Sequence, residues 1–262
     1  MTPFFFIGCR RTGTTAMRRM LNVHPNIYCS FESAVMFILK NIHDGGDLKS
    51  AKNSVKNWSH TGQTFKYARC VFADYSESDR SLEGARKAFF RAIDLCKKGR
   101  FPYDGDTRGD FLAIGEKNPS EYSEPDVNKF ILSVHPDAKF IHPVRHPYGF
   151  ARSSGFRGEI QHRDEITPGL RDPYALWETN EMNALAAEER APTFRFRYED
   201  LCSDPVLWVK KLYDFLVPET SEDDIRYGSR LVGVNGNLKY GELSIPDGYS
   251  DLRRIASLYG YE

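Results

Sequence analysis

The sequence predicts an α/β fold: a single domain over residues 1–262, with a parallel β-sheet of about five strands flanked by helices. Two observations predict it. Apolar runs of strand length alternate with longer stretches of helical periodicity, the pattern of a parallel sheet covered on both faces. The first run, Phe4-Phe-Phe-Ile7, also leads through a loop bounded by Gly8 and Gly13 into Ala16, Met17, Met20 and Leu21 at helical spacing. Four apolar residues are too few for a membrane span and suit a buried strand.

Further strands are predicted at Ile27–Phe31, after the turn His24-Pro25-Asn26, and at Phe111–Ile114, Ala138–Val144 and Thr193–Tyr198. The last alternates, so it is expected to be more exposed. Helices are predicted at Ala34–Ile42, Ser81–Lys98, Asp126–Val134, Tyr148–Gly155, Tyr174–Arg190 and from Asp204-Pro205 onward. Their buried candidates are Leu82, Ala85, Phe89, Ile93 and Cys96; Leu176, Trp177, Met182 and Leu185; and Leu207, Trp208, Leu212 and Phe215. Residues 43–80 read as helices and loops inserted over the sheet, since a linker rarely carries aromatics such as Trp58, Phe65, Tyr67 and Tyr75, and 99–109 reads as a charged turn region. Residues 156–172 read as a mobile loop, rich in Arg, His and Gly. The tail, 221–262, adds one helix, Gly-rich loops and a short last helix.

Lys+Arg and Asp+Glu both total 36, so no net charge points to nucleic acid or a membrane surface. No apolar stretch reaches membrane-spanning length, and the N-terminus lacks the basic start of a signal peptide. Cys9, Cys29, Cys70, Cys96 and Cys202 are scattered, without a C-x-x-C, which predicts reduced thiols and a cytoplasmic protein. His142 and His146 are separated by Pro143 and flanked by Pro147, so they do not share a helix face as a metal pair would. No motif speaks to oligomeric state.

The loop Gly8–Thr15 has the G-x-x-x-x-G spacing of a phosphate-binding loop. After its second glycine stands Thr14, where an NTPase has the lysine that reaches the outer phosphates. The nearest cations are Arg10 and Arg11, inside the loop. Such a cradle suits a nucleotide with a single 5′-phosphate better than a triphosphate. Glycines alone would serve a strand–turn–helix corner; two arginines and three threonines within residues 10–15 go beyond that need.

Ligands of parallel sheets bind beyond the strand carboxyl ends. Here those ends are Gly8–Thr15, Glu32-Ser33, Lys117-Asn118, Arg145–Ser153 and Tyr198-Glu199, which are expected to converge. Arg145 leaves a buried strand, and Ser153 follows about two helical turns later, so an arginine fork and a hydroxyl can share one phosphate. Alone, Arg145 would more simply pair with a carboxylate.

Together, Gly-x-x-Arg-Thr-Gly-Thr-Thr15 and Arg145-x-Pro-x-x-x-x-x-Ser153 resemble the motifs of sulfotransferases that use 3′-phosphoadenosine 5′-phosphosulfate (PAPS). Arg197-Tyr-Glu-Asp-Leu201 resembles the family segment that sets a tyrosine against adenine. His24-Pro-Asn-Ile-Tyr-Cys-Ser-Phe-Glu-Ser33 and Lys117-Asn118-Pro119 resemble the branch holding bacterial and protein-tyrosine sulfotransferases. This resemblance implies a P-loop-like sulfotransferase fold and assigns the site. Gly8, Arg10, Arg11, Thr12, Gly13, Thr14 and Thr15 would hold the 5′-phosphosulfate, Arg145 and Ser153 the 3′-phosphate, and Tyr198 the adenine. Catalysis would fall to Glu32 as general base, with Lys117 and Arg11 stabilising the transferring group. No metal is required, and the product would be 3′-phosphoadenosine 5′-phosphate (PAP). A late Arg-Lys-Gly motif for the 3′-phosphate is missing; Lys239, in Asn237-Leu-Lys239-Tyr-Gly, is the substitute.

The acceptor is then a hydroxyl compound: a carbohydrate, a lipid-linked sugar, a peptide tyrosine or a small alcohol. Residues 43–110 and 156–172 are the expected acceptor-site insertions, with Arg152, Arg157, His162 and Arg163 either holding an anionic acceptor or solvated. Glu32 has a second reading, as a cap for the helix beginning near Ser33. A P-loop kinase or NTPase would need a lysine at position 14 and a magnesium-binding aspartate, and both are missing. An inactive nucleotide-binding protein is the other alternative; the presence of Arg11, Glu32, Lys117, Arg145 and Ser153 argues against decay.

Overall fold

The computed structural model describes residues 1–55, 61–98, 111–156, 172–240, 243, 245 and 249–261. Its central strand is β1 (Thr2–Phe6), in a five-stranded sheet of order β2-β3-β1-β4-β5 with every pair parallel. The other strands are β2 (Ile27–Phe31), β3 (Ala113–Lys117), β4 (Lys139–Val144) and β5 (Thr193–Arg197). Successive side chains of a strand face opposite sides. Phe5 and Ile7 accordingly enter one core cluster, while Phe4 and Phe6 enter the other. All four are fully buried, which is why the run is apolar without alternation.

On the first face pack α2 (Val35–His43), α3 (Leu48–Ser54), α4 (Thr61–Glu77), α5 (Leu82–Lys98) and α7 (Pro125–Val134). The described part of 43–80 is thus helices laid over the sheet, as expected. The opposite face carries α1 (Thr14–Asn22), α11 (Pro205–Leu216) and α12 (Glu222–Ser229), preceded by the short α10 (Tyr198–Ser203). A third cluster joins α8 (Pro147–Phe156), α9 (Pro173–Glu188) and α13 (Ser250–Leu258) beyond Val144. Among the described residues no helix is long and apolar enough to cross a membrane. Trp58, Arg157, His162 and Arg163, with the turn region expected at 99–109 and residues 157–171 of the loop expected at 156–172, lie outside the described residues.

Three expectations change. The third strand does not stop at Ile114 but runs to Lys117. Its Gly115 lies opposite Phe4 in the ladder, and a Cβ there would stand 2.2 Å from the Phe4 carbonyl oxygen. This glycine admits a neighbouring strand and does not break its own. Tyr198 starts α10 instead of ending β5. After β3 the short α6 (Pro119–Ser123) forms. Leu82, Met182 and Leu207 are exposed. On α9 the buried face belongs to Trp177, Asn180, Glu181, Ala184 and Ala187, because that helix turns polar groups toward the β1 loop.

Around β1 the chain leaves to one side for β2 and β3 and returns on the other for β4 and β5. That reversal opens a crevice at the carboxyl end of β1. Beneath it lies His142, on β4, with Nε2 2.8 Å from Glu181 and Nδ1 2.5 Å from Glu188. Both ring nitrogens are therefore committed to carboxylates. Burial pulls the imidazolium's pKa down, but the two glutamates outweigh it and push it up to about 9. Glu181 also accepts the Cys9 N–H at 3.2 Å, which ties this cluster to the loop above.

A group with a raised folded pKa stabilises fully below its unfolded value and loses that contribution as pH climbs through the folded one. The melting temperature is therefore expected to fall as pH rises from 6.5 through about 9. His142→Asn should start lower and follow a flatter curve. Parallel melting curves for the two proteins would contradict this.

Candidate active site at the strand ends

The loop after β1 is shaped by Gly8 at φ 91° and Gly13 at φ 82°. A Cβ at Gly8 would stand 2.6 Å from the His142 ring, and one at Gly13 would stand 2.8 Å from the Tyr198 ring. Three bonds fix the loop: Gly8 N donates to Ser123 Oγ at 2.7 Å, Cys9 N to Glu181, and Thr12 Oγ1 to the Cys9 carbonyl at 3.0 Å. Thr12 is buried, its hydroxyl spent inside the loop. Arg10 is half exposed and paired with Glu121. Gly13 is the N-cap of α1; no side chain caps this end and no acidic residue stands in its first turn. An α-helix start has orphan N–H donors and a positive dipole end, both of which favour an anion.

Arg145 follows β4 and reaches back to that loop. Its Nη1 donates to the Arg11 carbonyl at 2.9 Å, and its guanidinium lies 4.9 Å from the centre of the Tyr198 ring. Nε donates to Asn237 Oδ1 at 2.7 Å, and Trp177 Nε1 holds the Arg145 carbonyl at 3.0 Å. Trp177 is thus core packing, as its spacing predicted. One cleft of 1240 Å³ is lined by Arg10, Arg11, Gly13, Thr14, Thr15, Glu32, Lys117, Arg145, Ser153 and Tyr198. The separated strand ends meet there. Gly8 and Thr12 support the cleft from behind, and the Lys239 side chain lies outside the described residues.

Across the cleft the register of β2 on β3 pairs Phe31 with Lys117 and so brings Glu32 alongside. Lys117 Nζ donates to Glu32 Oε1 at 2.5 Å and lies 4.4 Å from the centre of the Phe31 ring. Lys117 is buried, whereas Glu32 is partly open to the cleft. Burial lowers the Lys117 pKa below its ordinary 10.5, and Glu32 partly restores it.

The second reading of Glu32, as the cap of α2, meets a competitor. Glu116, fully buried on β3, accepts the Val35 and Met36 N–H groups at 3.0 and 3.3 Å, together with the hydroxyls of Ser33 and Tyr122. Asn118 Oδ1 takes the Ala34 N–H at 3.2 Å. Burial raises the Glu116 pKa, opposed by those four donors. Among the described residues the non-glycine positive-φ positions are Arg11, Glu32 and Ala34. Such backbone costs on the order of 1–3 kcal/mol each and persists only where neighbours over-determine it.

Sequence reasoning gave no role to Glu116, Asn237 or the Glu181–His142 pair, and named Glu199 only as part of a strand end. Only Glu199 had a signal, its place beside Tyr198. The others are ordinary residues until the fold brings distant partners to them: Val35 is 81 positions from Glu116, Glu181 is 39 from His142, and Arg145 is 92 from Asn237.

Among solved structures the chain is similar to a sulfotransferase domain from the curacin biosynthetic pathway, with a TM-score of 0.63 and 19% identity, covering 100% of this chain and 98% of that one. It is also similar to a sulfotransferase domain from the Synechococcus PCC 7002 olefin synthase, at 0.58 and 18%, covering 100% and 94%. These likenesses establish the fold. Protein-tyrosine sulfotransferase 1 of Danio rerio is 24% identical over 247 residues, 92% of this chain; the chain spans 60% of that relative's length. Residues 3–222 match the sulfotransferase family model, a span that takes in the β1 loop, the Glu32–Lys117 pair, Arg145 and Tyr198, and the chain belongs to the sulfotransferase family.

Proposed function

We propose that this protein transfers a sulfuryl group from PAPS to an acceptor hydroxyl, with Glu32 as general base. The observation that carries the reading is that the Lys117–Glu32 pair, at 2.5 Å, opens onto the same cleft as the uncapped start of α1 and Arg145. The donor set suits such a nucleotide. Gly13, Thr14, Thr15 and Arg11 would hold one end of it and Arg145 and Ser153 the other, with the Tyr198 ring as its stacking surface; all of them line the one cleft. Arginine and hydroxyl groups are phosphate ligands, and the ring is a stacking surface.

PAPS supplies an activated sulfuryl group, whose S–O bond to the 5′-phosphate breaks as an S–O bond to the acceptor forms. Glu32 takes the acceptor's proton, since its carboxylate is the open partner of the pair. Lys117 orients Glu32 and, as an ammonium, balances negative charge on the equatorial oxygens. Arg11 and the first amides of α1 hold the charge left on the phosphate side, the demand that phosphoryl transfer also makes. A carbohydrate, a tyrosine or a small alcohol fits this scheme wherever its hydroxyl reaches Glu32.

Glu32→Gln is expected to cut turnover roughly a hundredfold or more while donor affinity stays nearly intact. Unchanged turnover in a sulfate-transfer assay across acceptor classes would remove Glu32 from the mechanism. Arg145→Ala should instead raise the dissociation constant for PAP by roughly tenfold or more, read by calorimetry without added metal; an unaltered constant would contradict the assignment. Because burial lowers the Lys117 pKa, its ammonium is lost as pH rises toward a value below 10.5. Turnover should therefore decline on an alkaline limb below that pH, and Lys117→Arg should move the limb upward. A limb that ignores this substitution would mean that another group sets it.

A further inference from the structure

Behind Arg145 lies a chain of groups that the proposed chemistry does not use. Arg145 Nε donates to Asn237 Oδ1 at 2.7 Å, and Asn237 Nδ2 donates to Glu199 Oε1. Glu199 Oε1 also accepts the His146 N–H at 3.1 Å, and its Oε2 accepts the Tyr261 hydroxyl at 2.6 Å. Asn237 belongs to the 3₁₀ turn Gly236–Tyr240, whose first N–H donates to the Tyr198 hydroxyl at 3.0 Å. This turn thus clasps both the arginine and the aromatic ring of the donor end. Room for Asn237 is made on α8: a Cβ on Gly149 would stand 2.2 Å from Asn237 Oδ1.

The order of the groups matters physically. A carboxylate set directly on Arg145 would take up its fork in a bidentate pair. An amide between them takes a single N–H and passes the polarisation on to Glu199. Two of the five guanidinium donors are then used, one on Asn237 and one on the Arg11 carbonyl. Nη2 has no hydrogen-bond partner among the described residues, and a Cβ on Gly236 would stand 3.3 Å from it. The counter-charge is present nearby, but the fork still has donors for an anion.

We propose that Asn237 and Glu199, backed by Tyr261, are positioning residues for the donor's 3′-phosphate, acting through Arg145 and not by touching the nucleotide. The tail segment contributes an amide that aims a distant arginine, where the sequence suggested a cation at Lys239. This rests on the reading of Arg145 as the 3′-phosphate contact.

The test compares binding of adenosine 3′,5′-bisphosphate and adenosine 5′-monophosphate by calorimetry, since only the first carries the 3′-phosphate. Wild-type protein should prefer the bisphosphate. Asn237→Ala should weaken the bisphosphate by roughly tenfold and leave the monophosphate within about twofold. Asn237→Asp should weaken the bisphosphate further, because it sets a carboxylate on the arginine. Gly149→Ala, which reaches Asn237 from behind, should follow Asn237→Ala and serves where that variant folds poorly by thermal melt. If the variants weaken both nucleotides equally, or neither, the positioning role fails while the nucleotide assignment survives. A wild-type protein with no preference for the bisphosphate would overturn the reading of Arg145 itself.

Discussion

Burial of β1 on both faces is the constraint on which the rest depends. A strand with Phe4, Phe5, Phe6 and Ile7 fully buried can sit only at the centre of a sheet covered by two helical layers. Neighbours must then accommodate it, and Gly115 does so by giving Phe4 the space its own side chain would occupy. Once β1 is central and parallel to β3 and β4, its carboxyl end emerges where the chain direction reverses. The glycine loop, Lys117 and Arg145 are carried to one crevice by that topology. None of these three is local to another in the chain.

Charge buried at the crevice comes with partners. Glu116 gathers four donors, His142 lies between two glutamates, and Lys117 meets Glu32 while resting on Phe31. A buried charge without such company would cost several kcal/mol. The same contacts hold backbone that would otherwise relax. Arg11 is fixed through its carbonyl by Arg145, and Ala34 through its N–H by Asn118. Strain and buried charge therefore sit together at the strand ends.

Much of this was legible in the sequence because local pattern determines it. β2 was read with its observed boundaries, since Ile27–Phe31 is a short apolar run fenced by a proline turn and Glu32-Ser33. The β1 loop was legible because glycine spacing reports backbone shape. What escaped was long-range. Gly115 looks like a strand end until Phe4 is placed beside it. Met182 looks like core by hydrophobicity, yet the buried face of α9 goes to Asn180 and Glu181 because the loop above needs acceptors. Asn237 carries no motif; only the fold brings it to Arg145.

The two helix starts at the crevice are treated differently. α2 receives a buried carboxylate from β3, while α1 begins on a bare glycine with no side chain of its own to satisfy its first amides. A bound phosphate would complete the hydrogen-bond inventory of α1 as Glu116 completes that of α2. On the proposed function the nucleotide would then be a structural member as well as a reactant, and the fold's resistance to unfolding would become a function of how much nucleotide surrounds it.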